Sequence, residues 1–328
     1  MILLKWRVFS GALLLAIAVT TPHVIKAQTT MTEIPLPSGG GGVVGIQSLD
    51  GGGTSEATST AGPEAIAFDG TYVWVATQFN DSITRVRVSD GAVSGTFVVG
   101  KRPVALLYAA SYLWVANLLS NNVMKVNPAT GAIASTYKVA DGPGGLAFDG
   151  TNIWVANRHS NNVTKLKATN GQNLGTFAVG KRPIGLAFTA NSIWVANSKS
   201  NSVTRLSTAG AVLGTYPVGK GPFGVAGQGE NVWVTNYFGK TVTKLRASDG
   251  LNLGTFDVGD GAAGVAFDGT NLWVVNNGDS NVMKVSPADG TVIATYITGK
   301  GPFSIAFGGS KIWVPNFGSN SVSTTAVN

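Results

Sequence analysis

One imidazole follows the first 27 residues of this chain, His159, and it stands beside Arg158. Histidine is the side chain whose ordinary pKa best suits proton transfer near neutrality, so His159 is the candidate general base. A base needs a carboxylate to orient it, and none adjoins it in the sequence. The chain has no cysteine, which removes thiolate chemistry and disulfides alike. It has no glycine-rich phosphate loop, no Cys or His pair at zinc spacing, no GxSxG and no HExxH, and these residues predict neither a cofactor nor a metal. Cations and aromatic rings remain. Phe223 and Phe303 each follow the Gly-Pro dipeptide that comes directly after Lys220 or Lys300, while Tyr237, Phe238 and Phe317 sit in turns, the first two close to Lys240. Rings beside cations can bind sugars, peptides or flat anions.

The elements that position these residues are legible because the chain repeats. Trp74, Trp114, Trp154, Trp194, Trp233, Trp273 and Trp313 recur at spacings of 40, 40, 40, 39, 40 and 40 residues. The third repeat reads GPGGLAFDGTNIWVANRHSNNVTKLKATNGQNLGTFAVGK. Turn signals divide it into strand A (GLAF), strand B (NIWVAN), strand C (NVTKLKA) and strand D (LGTFAVG), each rich in β-branched or aromatic residues. A period of about 40 residues with four short strands is that of a propeller blade. The sequence therefore predicts an all-β, seven-bladed β-propeller of four-stranded antiparallel blades. In strand A, large residues (Ile66, Leu106, Leu146, Leu186) follow small ones (Ala65, Ala105, Gly145, Gly185), as the crowded inner strands require.

The last repeat stops after strand C, so an N-terminal strand must pair with the C-terminal blade to close the ring. Register places Thr54 to Thr60 in that role, which gives a division into a signal peptide at 1–27, a flexible Gly-rich linker at 28–53 and the propeller at 54–328. Lys5 and Arg7, an apolar run from Val8 to Val19 and a small residue at Ala27 form the signal. That run is shorter than the ~20 residues needed to span a bilayer, so the expected location is secreted or periplasmic. Removing the segment takes three cations and no acid, and the formal charge falls from +7 to +4, a weak footprint for nucleic acid.

The alternation of strands puts the D-to-A and B-to-C turns on one face and the A-to-B and C-to-D turns on the other. The latter face carries Asp-Gly pairs (Asp69-Gly70, Asp149-Gly150, Asp268-Gly269) that read as tight-turn chemistry rather than metal ligands. The former carries Lys101, Arg102, Lys181, Arg182, Lys220, Lys300, Arg158, Lys199 and Lys240 against Asp81, Asp141, Asp260 and Asp279. Phe79, Leu118 and Leu119 extend its apolar character. The Asn that ends most B strands and the Trp series read as structural.

The WVTN string at Trp233–Asn236, the VGK and GP turns and the GVAF or GLAF strands resemble the YVTN family of β-propeller repeats over about residues 62–328. The WVAN-centred repeat is also similar to the streptogramin lyases, seven-bladed enzymes whose sites use two His and a Glu with a divalent cation. Beyond the signal segment this chain keeps only His159, so the resemblance implies the fold without that His pair. The function expected is a non-enzymatic binding scaffold of the envelope or exterior. It would use the basic, aromatic-bearing face, with Phe223, Tyr237, Phe238, Phe303, Phe317, Lys220, Lys240, Lys300, Arg158 and His159 as ligand contacts. The partner expected is an anionic small molecule, a glycan or a protein, bound by a monomer. The alternatives are a streptogramin lyase-like enzyme with a diverged site at the channel mouth, or a surface-layer repeat module.

Overall fold

The computed structural model describes residues 28–38, 46–47, 54–55 and 61–327. Among them are seven blades of four antiparallel strands and no helix. The expected signal peptide at 1–27 lies outside the described residues, and no described helix is long and apolar enough to cross a membrane. Blade three shows the pattern: strand A is Pro143–Phe148, B Asn152–Asn157, C Asn162–Lys167 and D Asn173–Ala178. Pairing runs A–B–C–D within each blade, and blades touch chiefly through strands A and B.

Every blade is built around its tryptophan. All seven repeat tryptophans are fully buried. In six blades the indole packs on the aromatic ring of its own strand D, as in Trp74–Phe97 at 5.5 Å and Trp154–Phe177 at 5.7 Å between centroids. A strand C cation lies against the same indole: Lys165 Nζ is 5.2 Å from the Trp154 ring and Lys244 Nζ 5.2 Å from that of Trp233. These cations then reach the neighbouring blade. Lys125 donates to Ala168 O at 3.0 Å, Lys165 to Thr208 O at 2.6 Å and Lys244 to Pro287 O at 2.7 Å, each acceptor lying in the next C-to-D turn. The glycine of that turn lies on the preceding blade's strand D ring: a Cβ on Gly131, whose φ is +74°, would stand 2.1 Å from Phe97.

The Asp-Gly turns hold the indole N–H. Asp149 accepts from the backbone N–H of Thr151 and Asn152 and from Trp154 Nε1 at 2.8 Å; Asp69 and Asp268 repeat the arrangement. Burial pushes the Asp149 carboxyl up, but the hydrogen bonds from Trp154, Asn152 and Thr151 outweigh it and hold it below its ordinary value. These carboxylates are thus fully used inside the turn. The strand B asparagines are likewise structural: Asn157 is fully buried and donates to Asn162 Oδ1 and Thr164 Oγ1. Strand A behaves as its alternation requires, since a Cβ on Gly145 would meet Ile184 O at 1.9 Å and one on Gly185 would meet Phe223 O at 2.2 Å.

The ring closes with an N-terminal strand, but at a different place from the one the register suggested. Thr32–Pro35 pairs antiparallel with Ser321–Ala326 and supplies the fourth strand of blade seven. Just before it, Thr29–Thr30 adds in parallel to the outer strand of blade six. Thr54–Ser55 instead pairs with Ile46–Gln47, and 56–60 lies outside the described residues. The ordered propeller therefore takes in part of the stretch assigned to the linker. Burial explains the choice: Met31 and Leu36 are 5% exposed and Ile34 packs beside Trp313 and Val322. The segment 54–60, TSEATST, has only Ala57 to offer a core.

Two outcomes test this account. Deleting residues 28–36 should lower the melting temperature by about 10 °C or more and cause concentration-dependent association, because it uncovers a strand edge and an apolar seam; circular dichroism melting and sedimentation check it. In blade four the Trp194 Nε1 is buried with no acceptor, and the turn Thr189-Ala190-Asn191 holds Ala190 and Asn191 at positive φ. Grafting Thr189→Asp, Ala190→Gly and Asn191→Thr, the turn of blade three, should raise the melting temperature by about 2–4 °C.

Candidate functional site

The D-to-A and B-to-C turns of each blade are zipped together on one face. Arg158 N–H donates to Gly142 O at 2.8 Å, Tyr237 N–H to Gly221 O at 2.8 Å and Phe317 N–H to Gly301 O at 3.0 Å. The residue after each B strand and the residue after each strand A proline therefore converge on the mouth of the axial channel. Below the mouth lies a cavity of about 180 Å³, walled by strand A residues of all seven blades together with Arg158.

One half of the mouth is aromatic. Phe223 of blade five and Phe303 of blade seven are 6.2 Å apart between ring centroids. They meet because blade six between them carries only Ala263 at the matching position. Tyr237 packs on Phe223 at 5.8 Å and Phe238 on Tyr237 at 5.1 Å. Phe317 packs on Phe303 at 5.7 Å, and Phe79 of blade one extends the run at 5.6 Å from Phe317. Six rings thus form one continuous wall across blades five to one. Phe317 is buried within it, Phe223, Phe303 and Tyr237 are half-buried, and Phe238 is exposed. Tyr237 Oη donates to Asn277 Oδ1 at 2.8 Å, which fixes its ring.

The opposite half is charged. Arg158 of blade three is 9% exposed, and its Nη2 donates to Gly144 O at 3.1 Å and lies 3.7 Å from Glu64 Oε1 of blade one. Gly144 makes room for this, since a Cβ there would stand 1.9 Å from Arg158 Nε. Burial pushes the Glu64 carboxyl above its ordinary value, while Arg158 and Arg102 pull it back in part. Burial lowers the Arg158 pKa, with Glu64 opposing and the charges of Arg182 and Arg102 adding to the effect. Arg102 and Arg182 occupy the turn position that is glycine in the other five blades, and they adopt φ of +56° and +53°. A β-carbon in that region costs about 1–2 kcal/mol. Arg102 Nε donates to Gln78 Oε1 at 2.7 Å.

Other residues singled out in the sequence lie on the outer rim. Lys220, Lys240 and Lys300 are exposed, and Lys240 Nζ pairs with Asp260 at 3.1 Å. Lys101 pairs with Asp81 at 2.7 Å. His159 has a partner after all: its Nδ1 is 3.5 Å from Asp141 Oδ2, but both side chains are more than half exposed and neither lines the axial cavity. Among the described residues no three His, Cys, Asp or Glu side chains converge as a metal site would need.

Glu64 was not singled out from sequence. The signal that could have found it is positional: it is the one acid at a place that holds Val104, Gly144, Ile184, Phe223, Ala263 and Phe303 in the other blades. The structure predicts a stability cost at the same spot. Arg182→Gly should raise the melting temperature by about 1–3 °C, since it relieves left-handed strain and a repulsion on buried Arg158; differential scanning calorimetry checks it.

No family model matches the chain, and no curated protein matches it in sequence. Solved structures do. Hydrazine synthase of Kuenenia stuttgartiensis superposes with a TM-score of 0.76 at 19% identity, covering 84% of this chain and 98% of that one. A streptogramin B lyase superposes with a TM-score of 0.74 at 18% identity over 90% and 97%. A catalytically inactive virginiamycin B lyase from Staphylococcus aureus, solved with quinupristin, gives 0.72 at 18% over 81% and 96%. The likeness to streptogramin-lyase propellers expected from the repeats thus holds at the level of fold.

Proposed function

We propose that this chain is a non-enzymatic binding protein of the cell envelope or exterior that holds an anionic ligand at the axial mouth of its turn-zipped face. The observation that carries this reading is the division of the mouth: Phe223 and Phe303, part of a continuous run of six rings, and Arg158 line one cavity of about 180 Å³, and the charges of Arg102 and Arg182 act on Arg158. Rings supply contact area at low entropic cost, and guanidinium groups supply planar recognition of an oxyanion. The exposed lysines of the rim add attraction at longer range. Export rests on the signal-like first 27 residues. A lyase with the two-His site of the streptogramin lyases would need imidazoles at the cavity, and the only imidazole beyond the signal-like segment is exposed outside it, while the one carboxylate there, Glu64, is engaged with Arg158.

The test uses 8-anilinonaphthalene-1-sulfonate as a fluorescent probe. Phe303→Ala or Tyr237→Ala should weaken binding about 3- to 10-fold with little dependence on salt. Lys220→Glu with Lys300→Glu should weaken it by an amount that shrinks as salt rises from 50 to 500 mM. Unchanged binding in all three variants would show that this face does not hold the ligand.

A further inference from the structure

The repeat is broken three times at one point. Glu64 is the only acid at its strand A position, Gly144 the only glycine there, and Arg158 the only cation directly after a B strand. The three breaks meet: Gly144 leaves the space in which the Arg158 guanidinium lies, and Arg158 reaches past blade two to the Glu64 carboxylate. Neither blade needs this contact for its own packing, because each has a complete Trp-centred core. A buried ion pair is also a poor source of stability, since desolvation offsets most of its attraction.

The pair is poorly matched as a structural bridge. Its closest approach is 3.7 Å, longer than the fork-to-carboxylate contacts that Arg makes when geometry is free to optimise. The Arg158 Nε is buried with no acceptor at all. Two further arginines, Arg102 and Arg182, are held nearby in strained backbone although both act electrostatically against Arg158. Two cations act on the one carboxylate and a third, Arg182, acts on Arg158, which leaves positive charge in excess, and the rings of Phe223 and Phe303 line the same cavity.

We propose that the Glu64–Arg158 pair is an oxyanion site occupied by the protein's own side chain. A ligand with one oxyanion group on a flat apolar body takes Arg158 from Glu64 and lays that body against Phe223 and Phe303. This rests on the reading of the mouth as a binding site and goes beyond it by naming the ligand class, the residue that reads the charge and the internal competitor. On release, the Glu64 carboxylate remains in a confined site without its counter-ion, and it takes up a proton. The groups facing it are Arg158 from blade three, Arg102 from blade two and, beyond Arg158, Arg182 from blade four. Guanidinium groups do not deprotonate in proteins. Asp81, Asp141 and His159 lie outside the cavity, and a His159→Gln background removes the one imidazole near it.

The experiment compares naphthalene-2-sulfonate, ionised at every working pH, with naphthalene-2-sulfonamide, its uncharged isostere, by isothermal titration. The full chain should bind the sulfonate more tightly. Glu64→Gln should strengthen sulfonate binding about tenfold and change sulfonamide binding less than about twofold, because only the charged group competes with Glu64. Arg158→Gln should erase the preference. One arm does not depend on Glu64→Gln folding well: in His159→Gln, sulfonate affinity should rise as pH falls from 7 to 5, toward a limit of about tenfold per unit, with sulfonamide flat. The proposal is overturned if Glu64→Gln weakens sulfonate binding in parallel with Arg158→Gln, which would make the pair structural, or if the sulfonate shows no pH dependence. Equal binding of both probes, lost in Phe303→Ala, would sink the oxyanion site and leave the wider reading of the face standing. No binding of either probe would count against both.

Discussion

The architecture depends on one recurring cluster: a buried indole in contact with a strand D ring and a strand C cation. The indole supplies apolar area, and its N–H is held by the A-to-B turn in six of the seven blades. The cation does two things at once. It lies over the indole, and it donates to a carbonyl in the next blade, so the same side chain that completes one core fixes the angle to its neighbour. A chain without disulfides needs such ties. They explain why a lysine or arginine stands at one place in strand C of every blade from the first to the sixth, a position where simple alternation would expect only a solvated charge.

Because the clusters hold the ring, the inner ends of the strands and the turns of one face are free to vary. There the repeat departs from itself, and the departures are costly ones. Arginine occupies a glycine conformation in blades two and four, a carboxylate is buried in blade one, and a guanidinium Nε goes without an acceptor in blade three. Proteins accumulate destabilising features where function requires them and average them out elsewhere. Blade six shows the converse. It carries Ala263 where its neighbours carry Phe223 and Phe303, and that lack of bulk lets the two rings touch across it.

The fold was legible because a seven-fold repeat amplifies weak signals: a single GLAF or NIWVAN is ambiguous, while seven in register are not. The shared face of the D-to-A and B-to-C turns followed from strand alternation alone, and with it the proximity of Phe223, Tyr237, Phe238 and Phe303. The closing strand was misplaced because register counts residues and takes no account of burial. Thr32–Pro35 contributes Ile34 and is flanked by Met31 and Leu36, whereas Thr54–Thr60 has little to bury. Glu64 escaped notice because one acid in a polar-looking GPEA turn has no periodic signature, and only the fold shows that Arg158 crosses to it. The importance assigned to Lys220, Lys240 and Lys300 shifts for the same reason. They are exposed and line no part of the axial cavity, while Arg158 does, with Arg102 and Arg182 acting on it by charge.

The central claim is that the axial mouth is an amphipathic anion site whose arginine is held by an internal carboxylate until a ligand replaces it. A crystal structure of the chain grown with naphthalene-2-sulfonate tests this most directly. The account predicts the naphthalene ring against Phe223 and Phe303, the sulfonate on Arg158, and the Glu64 side chain rotated away from it. Ligand density elsewhere on the molecule, or at the mouth with the Glu64–Arg158 contact intact, would contradict it.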